Sequence, residues 1–118
     1  MSDYSIVDIP SLLRRVVRSY DSDMKEIPYD GAWHREVTET YYVLAELLVS
    51  KGLVIGKIRV SRTPDLVIKW SQLTDLGQAF LNEVLEKWLR SIDRAGMPET
   101  TKAEKLERRW RKFTSAQA

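Results

Sequence analysis

The sequence predicts an α+β fold, mainly helical, in which three or more helices surround a two-stranded β-hairpin and an extra helix closes the C-terminal end. Two changes of hydrophobic period carry this expectation. From Val37 to Ser50 apolar residues recur at helical spacing, after Lys51-Gly52 they alternate, and from Thr74 to Ile92 they are helical again. The punctuation agrees: Gly52, which can take the left-handed conformation that ends a helix, stands at the first change, and Thr74, a residue type that caps helix N-termini, stands at the second.

In chain order, the first helix is expected to open at Asp8-Ile9-Pro10-Ser11. Asp8 or Ser11 can accept from free backbone amides there, and Pro10 is tolerated in a first turn. Leu12, Leu13, Val16, Val17 and Tyr20 then share one helical face, leaving Arg14, Arg15 and Arg18 to water. Residues 21–31, DSDMKEIPYDG, hold turn formers without periodicity and predict a loop, with Ile27 and Tyr29 folding back on the core. A second helical stretch begins near Ala32, with Trp33, Val37, Tyr41, Leu44 and Leu48 on its buried stripe. It can run as a short helix over 32–36 and a longer one over 37–51, or as one continuous rod.

From Val54 to Ser61 the chain alternates: Ile58 and Val60 face one way, Lys57, Arg59 and Ser61 the other. Beyond the Arg62-Thr63-Pro64-Asp65 turn, Leu66, Ile68 and Trp70 repeat the apolar face against Val67 and Lys69. The two runs are expected to pair as a basic antiparallel hairpin. In the helix opened by Thr74, Leu76, Phe80, Val84 and Trp88 form one ridge and Leu81, Leu85, Leu89 and Ile92 a second, more apolar surface than one small core needs. Arg94-Ala95-Gly96-Met97-Pro98 ends it. Thr101 and Glu104 make a capping-box pattern for the last helix, where Leu106, Trp110 and Phe113 share a stripe among Lys102, Lys105, Arg108, Arg109, Arg111 and Lys112. Gln117 and Ala118 are expected to fray. The resulting division is a domain over 1–98 and a basic amphipathic helix over 99–118.

A chain of 118 residues with 43% apolar side chains fills a single core. Without cysteine it has neither disulfides nor a Cys-based zinc site, and a reducing cytoplasm is the expected compartment. The start MSDYSIVDIPS has no basic run followed by an apolar one, and no window offers an apolar stretch of membrane-spanning length. The formal net charge of +2 is unevenly spread: residues 1–51 hold six Lys/Arg against nine Asp/Glu, whereas residues 99–118 hold six against three.

Ala45-Glu46-Leu47-Leu48, then Lys51-Gly52-Leu53-Val54, the ribbon, and Leu73-Thr74 with Gly77, Phe80 and Leu81 resemble the core of the winged-helix superfamily. Over residues 8–94 the arrangement is most similar to small uncharacterised winged-helix proteins of phages and prophages. The resemblance implies a winged helix-turn-helix in which the helix before Gly52 is the recognition helix and the hairpin is the wing. It implies further that Lys57, Arg59, Arg62 and Lys69 meet phosphates from the wing while Arg35, Thr38, Tyr42 and Lys51 line the DNA side of the helix. Glu36, Glu39 and Glu46 on that helix would oppose DNA.

No catalytic, cofactor-binding or metal-ligating constellation is legible. The lone His34 has no second ligand or nucleophile at a signature spacing and reads as a surface or turn residue. The five glycines make no phosphate-cradling motif, and no carboxylate pair sits in an apolar setting. The expected function is therefore non-catalytic, and the resemblance implies a DNA-binding transcriptional regulator with double-stranded DNA as partner, with no membrane or small-molecule substrate. The alternative is a phage-type interaction module that binds and inhibits a host protein, for example a defence complex, without touching DNA. Leu81, Leu85, Leu89 and Ile92 are expected to form a homodimer seam, with Trp110 as a further interface anchor, unless the C-terminal helix itself covers the Leu81 ridge.

Overall fold

In the computed structural model, which describes residues 3–94 and 96–117, the elements run β1 (Ser5–Asp8), α1 (Ile9–Arg14), β2 (Ser19–Tyr20), β3 (Glu26–Ile27), α2 (Ala32–Ser50), β4 (Val67–Lys69), a 3-10 turn (Trp70–Gln72), α3 (Asp75–Ser91) and α4 (Glu99–Gln117). Among the described residues these make an α+β fold of four α-helices and two small antiparallel sheets, β1 with β4 and β2 with β3. Ala95 in the expected α3 stop and Ala118 in the expected frayed tail lie outside the described residues. Gln117 is the last residue of α4.

The first helix is shorter than its periodicity suggests. Asp8 caps it as expected, accepting from the Ser11 amide at 3.1 Å and the Ser11 hydroxyl at 2.8 Å, but the helix stops at Arg14. Val16 and Val17 are β-branched and gain little from a helix, and the chain has a better local solution. The Asp21 carboxylate accepts from the amides of Asp23 and Lys25, both at 2.9 Å, and Met24 turns through a positive φ of 61°. This tight turn pairs β2 with β3, so Val16 and Tyr20, assigned to the core by spacing, stand 80% and 50% exposed. Ile27 is also exposed, and Tyr29 is half-buried against His34 rather than in the core.

α2 is one continuous helix. It ends where Gly52, at φ 68°, lets the Leu53 amide reach back to the Leu48 carbonyl at 2.9 Å. The expected pairing of 54–61 with 66–70 is replaced by two others. Val67–Lys69 pairs with the N-terminal strand Ser5–Asp8, whose Ile6 and Val7 are both buried. That edge is locked by Tyr4 stacked on Trp70 at 5.5 Å and by the Asp3 carboxylate, which accepts from the hydroxyl and amide of Ser71. Those two bonds, hydroxyl first, hold the Asp3 carboxyl below its ordinary range. The segment after α2 instead pairs only at its root, where Val54 bridges Leu73, the Ile55 amide donates to Gln72 O at 2.7 Å and the Thr74 amide to Leu53 O at 2.8 Å. Residues 56–66 leave this root as a loop. The in-out alternation survives without a ladder: Ile58 and Val60 are half-buried, Lys57, Arg59 and Ser61 exposed.

Thr74 caps α3 as its sequence implies, accepting from the Gly77 amide at 3.0 Å. α4 starts at Glu99, two residues before the Thr101-Glu104 pattern, and Lys102, expected on the wet face, is buried. Phe80 packs edge-on against Trp110 and Phe113 at 5.1 and 5.3 Å, and the Trp88 indole donates to the Lys102 carbonyl at 3.0 Å. α4 therefore lies on the Phe80–Trp88 ridge, and Leu106 and Phe113 belong to one core with Leu44, Leu48, Leu53, Ile68 and Phe80. None of the described helices is long and apolar enough to cross a membrane.

Candidate nucleic-acid interface

The side chains picked from the sequence as DNA contacts fall into two groups. Along α2, Arg35 donates to the Asp30 carbonyl at 2.8 Å and Thr38 returns its hydroxyl to His34 O at 2.7 Å. Tyr42 donates to Thr63 O at 2.6 Å, and Lys51 pairs with Glu107 of α4 at 2.8 Å. Burial pushes the Tyr42 phenol above its ordinary value, with the nearby Arg62 charge opposing that rise. Exposed positions on α2 are confined to Ala32, Arg35, Glu46 and Ser50. Of the four expected DNA contacts on this helix, Tyr42 is thus held by the loop and Lys51 by α4, while Arg35 stays exposed and Thr38 is turned back on its own helix.

Arg62 belongs with Tyr42 at the loop. Its guanidinium lies over the Tyr42 ring at 5.8 Å, bonds Glu46 at 2.9 Å and pairs with Glu99 at the start of α4. One arginine so ties the loop to two helices. Lys57 and Arg59, by contrast, are exposed with no carboxylate oxygen within 4.0 Å among the described residues, and Lys69 is exposed on β4 close to Asp3. Of the three glutamates expected to repel DNA, Glu46 is neutralised by Arg62 and Glu39 by Lys102 at 3.4 Å.

The apolar seam is largely internal. Leu81 and Ile92 are buried within the chain, while Leu85, Leu89 and Trp110 are half-buried against the same core. Leu89 and Ile92 face Trp33, Val37 and Tyr41 of α2 across a shallow groove.

Two further groups emerge only in three dimensions. His34 is a half-buried staple: its Nε2 lies 2.7 Å from the Arg15 carbonyl and its Nδ1 3.1 Å from the Tyr29 hydroxyl. A carbonyl can only accept, so Nε2 carries a proton and donates to it, while Nδ1 pairs with the Tyr29 hydroxyl, whose oxygen accepts from the His34 amide at 3.0 Å. This fixes both ends of the β2–β3 hairpin on α2. On the opposite side of α4 from Lys51 and Glu107, Lys105, Arg108, Arg109 and Lys112 line a concavity with Ser91 of α3. The helical spacing of these cations was visible in the sequence, but the concavity depends on the packing of α4 against α3. No protein-family model, curated protein or solved structure matches the chain.

Proposed function

We propose that this chain is a non-catalytic binding protein of winged-helix type that contacts double-stranded DNA, in keeping with a role in transcription regulation. The observation that carries this reading is the loop over 56–66. It rises from a short antiparallel root directly after α2 and exposes Lys57 and Arg59 free of internal carboxylates, as a wing lying along a phosphate backbone requires. In this reading the wing supplies affinity. α2 acts as its support, because Tyr42, Lys51 and the Arg62 cluster hold that helix against the loop and α4.

The test is fluorescence anisotropy of a random duplex over a salt series. Replacing Lys57 and Arg59 together by Ala is expected to lower the slope of log affinity against log salt by about 2 units, since each phosphate contact contributes about 0.9. A wild-type protein with no affinity for duplex DNA at low salt overturns the reading.

The second reading, a protein-interaction module of the kind a phage directs at a host protein, is favoured by a different feature. The hairpin arm over 15–28 exposes Val16, Tyr20, Met24 and Ile27, an apolar group held away from the core. If duplex binding fails, this arm is the surface to truncate in a search for a partner.

A further inference from the structure

We propose that the stripe Lys105, Arg108, Arg109 and Lys112 on α4, with Lys87 and Ser91 of α3, is a second docking site for the phosphate backbone of a DNA duplex, separate from the wing. The proposal rests on the DNA-binding reading above and adds to it a surface with which the resemblance to winged helices has nothing to do.

The spacing i, i+3, i+4, i+7 puts the four α4 cations on one helix face over about 10 Å of axis. Lys105, Arg109 and Lys112 stand beside Leu106, Trp110 and Phe113, the stripe that packs α4 inward, which places them next to the seam between the two helices. There they line a concavity of about 230 Å³ with Ser91. Arg109 and Lys112 continue into an adjoining hollow of about 150 Å³ beside Lys87, Val84, Phe113 and Glu83. Among the described residues, Lys87, Lys105, Arg108, Arg109 and Lys112 have no carboxylate oxygen within 4.0 Å.

The density of cations at one seam gives this cluster its meaning. Most Lys/Arg side chains of the described residues, Lys57 and Arg59 among them, have no carboxylate oxygen within 4.0 Å, so lack of a partner alone does not mark a site; here the unpaired cations converge on one seam between two helices. Five cations, Lys87, Lys105, Arg108, Arg109 and Lys112, are thereby left to repel one another across that seam. An anion that bridges them relieves that repulsion. Two groups work against it: Glu83 at the far rim, and the carbonyl end of α3 near Ser91, where Arg109 already covers the Lys87 carbonyl at 3.5 Å. Five cations outweigh one carboxylate and a partial dipole charge. A stripe of about 10 Å matches roughly three phosphates along one strand, which are spaced about 3.4 Å along the duplex axis. A single small phosphate would meet only part of it.

The test uses the same salt-series anisotropy on the full chain. Arg108→Gln with Lys112→Gln, both at exposed positions, removes two charges without touching the core. It is expected to lower the salt slope by about 2 units and to weaken binding at low salt, in addition to the loss expected of the Lys57 and Arg59 variant. If only the wing variant changes the slope, the α4 site is overturned and the wing reading stands. If only the α4 variant does, the site is upheld and the wing loses its role. A wild type that ignores duplex DNA but binds vesicles containing anionic lipid overturns both. A matching thermal unfolding midpoint for variant and wild type ties any loss to the surface rather than to folding.

Discussion

Lys102 carries its ammonium group into a place where the sequence pattern would put only the edge of a wet face. It is 1% exposed, and its Nζ reaches the Thr40 hydroxyl at 3.0 Å and the Glu39 carboxylate at 3.4 Å. Thr40 serves both directions, donating to Glu36 O at 2.9 Å while accepting from Lys102. A buried charge with few partners is costly to strand and cheap to replace by an apolar side chain of similar volume. Thr40→Val should therefore cost about 1–3 kcal/mol, because it leaves the ammonium without its nearest buried partner. Lys102→Met should be close to neutral, and the double variant should recover most of the Thr40→Val loss. Denaturant unfolding of the four proteins reads this coupling directly. Additive losses in the double variant would mean that the ammonium is solvated by water instead of by Thr40.

At the scale of elements, Gly77 sets how closely α3 approaches the root of the loop. A Cβ there would sit 2.8 Å from the Leu53 carbonyl oxygen and 3.1 Å from Leu53 Cβ, so Gly77→Ala must push α3 off the loop root that its own N-cap Thr74 is bonded to. The overpacking penalty of about 1–3 kcal/mol should exceed the gain of about 1 kcal/mol that Ala brings to a helix. A lower thermal midpoint is the expected outcome, and a raised one would show that the contact relaxes freely. Gly77 also illustrates what was legible beforehand. Helices bounded by strong local signals, Gly52 after α2 and Thr74 before α3, could be read from the sequence because the cap and the apolar period lie within a few residues of each other. Strand pairing could not. Ile68 could equally have paired with the 54–61 run, and only tertiary placement of Ile6 and Val7 gives its edge to β1. The same limit applies to the cations. Arg62 and Arg108 look alike in sequence, and what separates them is the arrival of Glu46 and Glu99 from elsewhere in the chain.

For the molecule as a whole, the elongated form of 55 × 28 × 26 Å is built on a single core that α4 helps to close. The expected division at residue 98 thus falls across a packed interface: Leu106 is 0% and Phe113 4% exposed, and both meet the cluster that holds Phe80 and Trp88. Cutting the chain after Pro98 would remove those two side chains, each worth about 1.5–3 kcal/mol of burial, and would uncover Phe80 and Trp88 as well. It would also strip the Trp88 indole of its acceptor at Lys102 and Lys51 of its partner Glu107. Against a total stability of about 5–15 kcal/mol for a domain, losses of that kind are decisive. Residues 1–98 alone should show no cooperative thermal transition by circular dichroism and should expose apolar surface to a fluorescent dye. A sharp melt near the full-length midpoint would instead make α4 an appendage. It would also hand the Phe80–Trp88 ridge, together with Leu85 and Leu89, to a second copy of the chain, which light scattering would register as a doubled mass.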